Sequence, residues 1–590
     1  MKILLVALNA KYPHVNLAVR LLKAYSGARC ASVRDGVARV SIGEWNVNEP
    51  PRRVLRGIAE AGPDAVLFST YLWNRALTVA IARDVRRLFP DVIVGFGGPE
   101  ATWSVGSLLA ECPEVDFVVA GEGEETFAEV VDLLAAVPAT RADRLAAISS
   151  VRGVRARGAD GVVRSGGDRP PIADLGSIPF PYVDLDFDPT HRIVYHESSR
   201  GCPFSCAYCL SARDEGVRYY PLERALADVD WFLSRKVPLV KYVDRTFNLD
   251  PERARAILSR IRDGYTGVTR FHFEIAPELV DSDLAEILAS MPAGSVQLEA
   301  GIQSARPETL RAVSRPARLE EARAGFARIP RGIHTHVDLI AGLPGEGIES
   351  FARSFDFAFS LGADMLQLGF LKVLPGAPIE EIALADPGYT WSASPPYEVL
   401  RTPSLSFEEL SLLKDVEAVF DVWYNGSLAR TALARLASGS DGAFAAFRAL
   451  ADFARGWFAD HDLSFPRRPA DAFACVAAFI ESGADRLALE CLRYDFLLRG
   501  KPGAFPPWFV RRYDKAAHDR AIRDILGAVP RRVAYARSEL ETFAFDPRTG
   551  SGGETTLLFL YGDDGSCVIH SIVGEKSGRI DHQPLPKRDG

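Results

Sequence analysis

A chain of 590 residues exceeds what one ordinary hydrophobic core accommodates, and its length suggests about three or four domains. An apolar fraction of 47% with 25% charged residues excludes a disordered protein. The net charge of −8 gives no general attraction to polyanions, so nothing in the composition points to nucleic acid as a partner.

The opening MKILLVALNAKYPHVN holds a short apolar run ending at Asn9, with neither a cleavage site nor the length to span a bilayer, so the expected location is cytoplasmic with no membrane partner. From 1 to about 135, the runs KILLVAL, VARVSI, DAVLFS, DVIVGF and DFVVA have strand length and alternate with helical patterns such as ALTVAIARDVRRLF. Nearly continuous apolar strands separated by helices predict a parallel sheet covered on both faces, with ligands beyond the carboxyl ends of its strands. Those ends read LNAKYPHVN, STYLWN, GFGGPE and AGEGEE. Residues 136–190 are dense in Gly, Pro and Asp without periodicity and read as a linker. A second α/β series, 191–385, has six strand-like pieces and fits a partial barrel better than a full eight-unit one, which takes about 250 residues. Residues 386–590 read as a mainly α-helical C-terminal domain, with Ser406 and Glu409 as a capping box, Asn425-Gly426 as a stop and a hairpin pattern in TTLLFLYGDDGSCVIHSI. The fold class is therefore α/β and multidomain.

Of the eight cysteines, Cys30, Cys112, Cys475, Cys491 and Cys567 are scattered and make no disulfide framework. Cys202, Cys206 and Cys209 are clustered just after the first strand of the second series, where barrel enzymes keep their chemistry. Iron-sulfur clusters usually take four thiolates, so three would leave one iron of a four-iron cluster open. A zinc site needs a fourth ligand at a suitable spacing, which is missing.

The pattern C-x-x-x-C-x-aromatic-C, with Tyr208 as the aromatic, resembles the signature of the radical S-adenosylmethionine (SAM) superfamily. The resemblance implies a [4Fe-4S] cluster on Cys202, Cys206 and Cys209 whose open iron takes SAM, with Tyr208 near the adenine and Asp244, Glu299, Gln303 and Ser304 around the methionine and ribose parts. Glu274, His336 and Asp338 are candidate substrate or cofactor contacts; His272, His334 and His336 read more readily as packing residues, and an Asp244–Arg245 pair is the bland alternative for that carboxylate. The first domain is similar to the Rossmann-like cobalamin-binding domains found ahead of many radical enzymes, which implies cobalamin contacts from Asn9, Tyr12, Ser69, Thr70, Tyr71, Leu72, Gly97, Gly98, Pro99, Gly121 and Glu122. It lacks the Asp-x-His-x-x-Gly loop whose histidine ligates cobalt, and His14 has the wrong surroundings for that role. The whole arrangement resembles cobalamin-binding radical SAM proteins with a C-terminal domain of unknown function, a Rossmann-like domain followed by a (β/α)6 radical SAM barrel.

The resemblance implies a methyltransferase acting on an unactivated carbon or phosphorus centre of a small-molecule or peptide substrate, fed with electrons by flavodoxin or ferredoxin. The alternatives are a rearrangement, ring contraction or cyclisation without methyl transfer, and a non-catalytic cobalamin or redox sensor. A tRNA methylthiotransferase shares the layout, but residues 1–190 hold only Cys30 and Cys112, too few for that family's extra cluster.

Overall fold

The computed structural model describes residues 1–573 and 576–579, except 137–139, 159, 184–186, 215, 440–441, 462, 464, 467, 528 and 551. It divides into two compact units, Met1–Gly347 with Gly369–Ser406, and Ile348–Leu368 with Phe407–Gly590.

The first unit opens with five parallel strands, β1 (Lys2–Asn9), β2 (Arg39–Asn46), β3 (Ala65–Ser69), β4 (Ile93–Gly97) and β5 (Phe117–Val119), in the order β2-β1-β3-β4-β5. Alternate residues of β1 serve opposite faces. Ile3, Leu5 and Ala7 share one core with Val19, Phe127 and Val131; Leu4, Val6 and Leu8 share another with Val54, Val79 and Ile81. Covering both faces is what produces the unbroken apolar runs. The strand order reverses between β1 and β3, so the loops after these two strands diverge and open a crevice.

The expected linker is structured over much of its length. The helix Arg141–Ile148 starts at a Thr140–Asp143 capping box, and β6 (Val154–Arg157) and β7 (Val163–Ser165) extend the sheet antiparallel from β5. Strands of four and three residues with arginine at every second position are too short and polar to carry a readable period. Residues 137–139, 159 and 184–186 of the expected linker lie outside the described residues.

The second sheet has the expected six parallel strands: β8 (Ile193–His196), then, after a hairpin β9 (Ser199–Gly201) and β10 (Val217–Tyr219), β11 (Leu239–Tyr242), β12 (Arg270–Ile275), β13 (Val296–Gln303), β14 (His334–Ala341) and β15 (Met365–Phe370). The order is β15-β14-β13-β12-β11-β8. The edge strand β8 does not face solvent bare: His14 forms a parallel bridge with Ile193, and the two segments exchange bonds through Val15 N–H to Ile193 O at 3.2 Å and Ile193 N–H to Pro13 O at 2.7 Å. A two-stranded ribbon, β16 (Thr390–Trp391) with β17 (Val399–Arg401), closes the unit.

The second unit is led by helices, among them Phe407–Val419, Ala443–Asp460, Pro469–Ser482 and Arg486–Leu498. A four-stranded antiparallel sheet, β18 (Ser538–Phe543), β19 (Thr555–Tyr561), β20 (Cys567–Val573) and β21 (Lys576–Arg579), contains the expected hairpin as β19–β20. Tyr494, Phe496, Trp508 and Phe509 belong to the core beneath it. Among the described residues, no helix is long and apolar enough to cross a membrane.

Candidate active site

The three cysteines leave β9 through Gly201, whose φ of +94° and closeness to the Gly216 carbonyl leave no room for a Cβ. The loop is then pinned from two sides: Ala207 N–H donates to Val313 O at 2.8 Å, and Ile379 N–H donates to Ala207 O at 2.8 Å. Asp244, buried at the end of β11, fixes the strand ahead of the loop. Its Oδ1 accepts from Ser198 N–H at 2.7 Å and Ser199 N–H at 3.2 Å, and its Oδ2 accepts from Ser198 Oγ at 2.6 Å. Burial pushes this carboxyl up to about 6 even against those bonds. The three thiols lie close enough to act on one another: burial raises the Cys202 thiol, and Cys209 and Cys206 add to the rise.

Beside the thiols lies Arg315, which the sequence reading did not single out. Its Nη1 is 3.7 Å from Cys206 Sγ and 3.2 Å from Tyr208 Oη, and its Nη2 donates to Gly301 O on β13.

Strand register lines the barrel interior with polar rows. Lys241, His272, Gln297 and His334 pair across β11 to β14, and Glu274, Glu299 and His336 pair one level nearer the mouth, with Asp338 above them. His272 Nε2 lies 2.9 Å from Glu299 Oε2. Burial opposes ionisation of Glu299, yet the His272 hydrogen bond, with the charges of His272, His336 and Lys241, holds its pKa below the ordinary value. Asp338 is the reverse case, held well above the carboxylate range by burial and by Glu299. Burial likewise brings Glu274 up to about 7 against the pull of Arg245, 3.9 Å away. His336 is pulled down to about 3 by burial and lies 3.0 Å from His334 and 2.8 Å from Gln297, nitrogen to nitrogen. Groups pushed to opposite protonation states within one lumen are the arrangement that general acid–base chemistry uses.

The crevice of the first sheet is rimmed by exposed aromatics. Tyr12 follows β1 and is 63% exposed; Trp73 follows β3, is 50% exposed and stacks on Tyr71 at 4.4 Å; Trp103 follows β4 and is 42% exposed. Their loops reach toward the second sheet. Arg192 stacks on Tyr12, Trp103 covers Gly376, and Glu122 is bound by Arg218 and lies 3.5 Å from Arg200. Gly98 has a φ of +99°, and a Cβ there would meet Thr70 O at 2.6 Å, which keeps the loops after β3 and β4 in close contact.

Several expected site residues are brought together, and several are committed elsewhere. Cys202, Cys206, Cys209 and Tyr208 meet at the mouth, with Glu274, Glu299, His336 and Asp338 in the lumen. Gln303, at φ +69°, has a buried Oε1 without a partner. Ser304 Oγ donates to Glu346 at 2.7 Å, Asp244 binds the serines rather than Arg245, and the Glu122 carboxylate is occupied by Arg218 and Ile172 N–H. Asn9 Nδ2 donates to His14 O at 2.8 Å, Thr70 is fully buried, Ser69 is buried, Gly97 ends β4, Pro99 opens the short helix Pro99–Trp103, and Leu72 and Gly121 lie on loops at the crevice edge. His14 turns its Nδ1 to Tyr195 Oη at 2.7 Å. The inward period of VQLEAGIQ could have revealed Gln297; nothing local marks Arg315.

The residues fit the groups the family implies. Three thiols without a fourth match an open-cornered four-iron cluster. An exposed aromatic rim over a switch-point crevice suits a large, flat, partly apolar ligand.

Comparison with known proteins agrees. The model of the B12 binding domain matches residues 3–131, that of the radical SAM superfamily 197–358, and that of a protein of unknown function, DUF4080, 386–533. An uncharacterized methyltransferase of Pyrococcus horikoshii is 27% identical over 319 residues, covering 52% of this chain and 66% of its own. The cobalamin-dependent radical SAM methyltransferase TokK of Streptomyces tokunonensis is 28% identical over 408 residues, 64% of this chain and 56% of its own. This chain thus spans less than two thirds of the length of either relative. The radical SAM methyltransferase TsrM from Kitasatospora setae, solved with cobalamin and a [4Fe-4S] cluster, shares the fold at a TM-score of 0.54 and 19% identity over 67% of this chain and 82% of its own. In succession the chain thus carries regions that match a B12 binding domain, a radical SAM domain and DUF4080, and it is similar to cobalamin-dependent radical SAM methyltransferases such as TokK.

Proposed function

We propose that the protein is a cobalamin-dependent radical SAM methyltransferase acting on an unactivated carbon or phosphorus centre of a small-molecule or peptide substrate. The observation that carries the reading is the joining of two ligand-binding edges: the crevice loops of the first sheet reach the second through Tyr12–Arg192, Trp103–Gly376 and Glu122–Arg218, next to a loop with three converging thiols.

In this reading Cys202, Cys206 and Cys209 hold the cluster, Tyr208, Glu299 and Gln303 contact SAM, and Tyr12, Tyr71, Gly97, Gly98, Pro99 and Gly121 border the cobalamin. When bound, these groups supply reductive cleavage of SAM and a transferable methyl group. The protein's own part is geometric and electrostatic. Asp244 sets the strand ahead of the cysteines, and the Ala207 bonds to Val313 and Ile379 hold the loop over the mouth. The contacts between the loops of the first sheet and the second sheet hold the two ligand-binding edges in a fixed relation, which is how positioning contributes to rate. In the lumen, Glu299 accepts a hydrogen bond from His272, while burial and Glu299 favour the neutral acid at Asp338 and Glu274 is brought up to about 7, so this row offers a substrate both an acceptor and a donor. The enzyme would work in the reducing cytoplasm and take electrons from a flavodoxin or ferredoxin.

The test is anaerobic reconstitution with iron, sulfide and cobalamin, followed by reduction with dithionite in the presence of SAM. Formation of 5′-deoxyadenosine and S-adenosylhomocysteine supports the reading. Protein carrying both groups that makes neither product is a sensor, and the proposal is then wrong.

A further inference from the structure

We propose that Arg315 is a positioning residue that raises the reduction potential of the cluster, by donating an N–H···S hydrogen bond to the Cys206 thiolate and by placing a fixed positive charge beside it. The inference rests on the reading of Cys202, Cys206 and Cys209 as cluster ligands and adds a residue that neither the cysteine motif nor the SAM contacts include.

Arg315 is aimed by a built turn. The helix Pro307–Ala312 ends in Val313, whose carbonyl accepts from Ala207 in the middle of the cysteine loop, at 2.8 Å. Ser314 then takes φ +55°, a left-handed conformation uncommon for a residue with a side chain, and Arg315 N–H returns to Leu310 O at 2.8 Å. The guanidinium is therefore delivered from a segment already tied to the loop it serves. Two of its nitrogens are engaged here: Nη1 lies 3.7 Å from Cys206 Sγ and 3.2 Å from Tyr208 Oη, and Nη2 donates to Gly301 O. The Gly301 bond anchors one arm of the fork on β13 and leaves the other directed at the sulfur. A lysine would keep the charge without the planar fork that binds both partners.

The physics sets the direction. Adding one electron to a [4Fe-4S]2+ cluster gives the 1+ state and raises the negative charge on the iron, sulfide and thiolate atoms. Hydrogen bonds to the sulfurs, net charge and solvent exposure are the protein's controls on that couple. A donor and a cation next to one thiolate stabilise the reduced form, which matters for a centre that must be reduced before SAM can be cleaved. Glu278, whose charge also acts on Arg315, offsets part of the effect.

The experiment is a dye-mediated redox titration of the full chain, reconstituted anaerobically without SAM, with dithionite as reductant and the 1+ cluster followed by electron paramagnetic resonance. Iron and sulfide contents are measured on each sample. At a fixed potential, Arg315→Met and Arg315→Gln are expected to shift the ratio of oxidised to reduced cluster by about tenfold toward oxidised, which is about 59 mV for one electron. Arg315→Lys is expected to shift it by less than about threefold. Equal ratios in every variant that assembles a cluster would overturn the proposal, and so would failure of all three variants to assemble one, since Arg315 would then be part of the scaffold. A shift that appears only after SAM is added would mean that Arg315 binds SAM and leaves the couple alone. Wild-type protein that takes up no four-iron cluster would instead defeat the functional reading beneath the inference.

Discussion

Gly98→Ala tests whether the crevice depends on close backbone contact. Gly98 has φ +99° and ψ 177°, a region that essentially only glycine occupies, and holding another residue there costs about 1–3 kcal/mol. The added Cβ would lie 2.6 Å from Thr70 O and 3.1 Å from Thr70 N, both backbone atoms that cannot rotate away. Thr70 cannot retreat easily, because it is fully buried and its N–H donates to Gly97 O at 2.7 Å. Overpacking of this kind costs about 1–3 kcal/mol more, giving about 2–6 kcal/mol in total. A loss of 1 kcal/mol lowers the melting temperature of a domain of 150–250 residues by about 2–4 °C, so a drop of at least about 4 °C is expected. The assay pairs a thermal melt of the apoprotein with equilibrium dialysis against hydroxocobalamin, where binding should weaken as the β3 and β4 loops separate. Gly121→Ala is the control: it has φ +80° but no atom within 4 Å of the added Cβ, and so pays only about 1–2 kcal/mol for its backbone. If Gly98→Ala melts and binds like the wild type, or no worse than Gly121→Ala, the reasoning is refuted.

Replacing Cys202, Cys206 or Cys209 singly with alanine should remove the cluster absorbance after reconstitution, whereas Cys475→Ala, in the second unit, should leave iron content unchanged; a cluster that survives any of the three would remove that cysteine from the ligand set. Arg493→Met should lower the urea midpoint of the second unit's transition, because Arg493 and Glu541 are almost fully buried and stripping one partner from such a pair costs about 3–5 kcal/mol; an unchanged midpoint would contradict this. His196 lies among Phe232, Tyr242 and Phe180, with neither ring nitrogen in a hydrogen bond and Asp228 3.5 Å away, and burial with the charges of Arg224 and Arg253 pulls its pKa down to about 3. A histidine neutral when folded but protonated near 6.5 when unfolded contributes stability that is whole above pH 6.5 and is lost as pH falls toward 3, amounting to about 2 kcal/mol at pH 5. His196→Phe should flatten that acid limb in denaturation curves collected from pH 7 to 5, and an identical slope would show that Asp228 keeps the ring protonated.

Much of the architecture is legible in the chain because it rests on local patterns. Two-faced burial makes ILLVAL and AVLF uniformly apolar, and Gly98 and Gly121 mark backbone conformations that few other residues accept. Cysteine spacing identified the thiol loop because its three donors come from one stretch. What escaped depends on partners distant in sequence. β6 and β7 are strands only because β5 offers an edge, and their own four and three residues carry no usable period. Asp244 and Glu122 read as ligand contacts because strand-end carboxylates often are; their bonds to Ser198 and Arg218, 46 and 96 residues away, could not be read from the local sequence. Arg315 lies in RPARLE, among arginines with no distinguishing neighbour, and gains its place only when the turn at Ser314 meets the loop at Ala207.

The most direct test of the account follows the methyl group itself. Reconstituted protein, loaded with cobalamin and reduced, is incubated with SAM bearing a deuterated methyl group and a small-molecule and peptide extract of the cell that encodes it, and the products are analysed by mass spectrometry. The account predicts a product heavier by the labelled methyl, with 5′-deoxyadenosine and S-adenosylhomocysteine formed alongside it. Product formation with the label recovered only in methionine would contradict it.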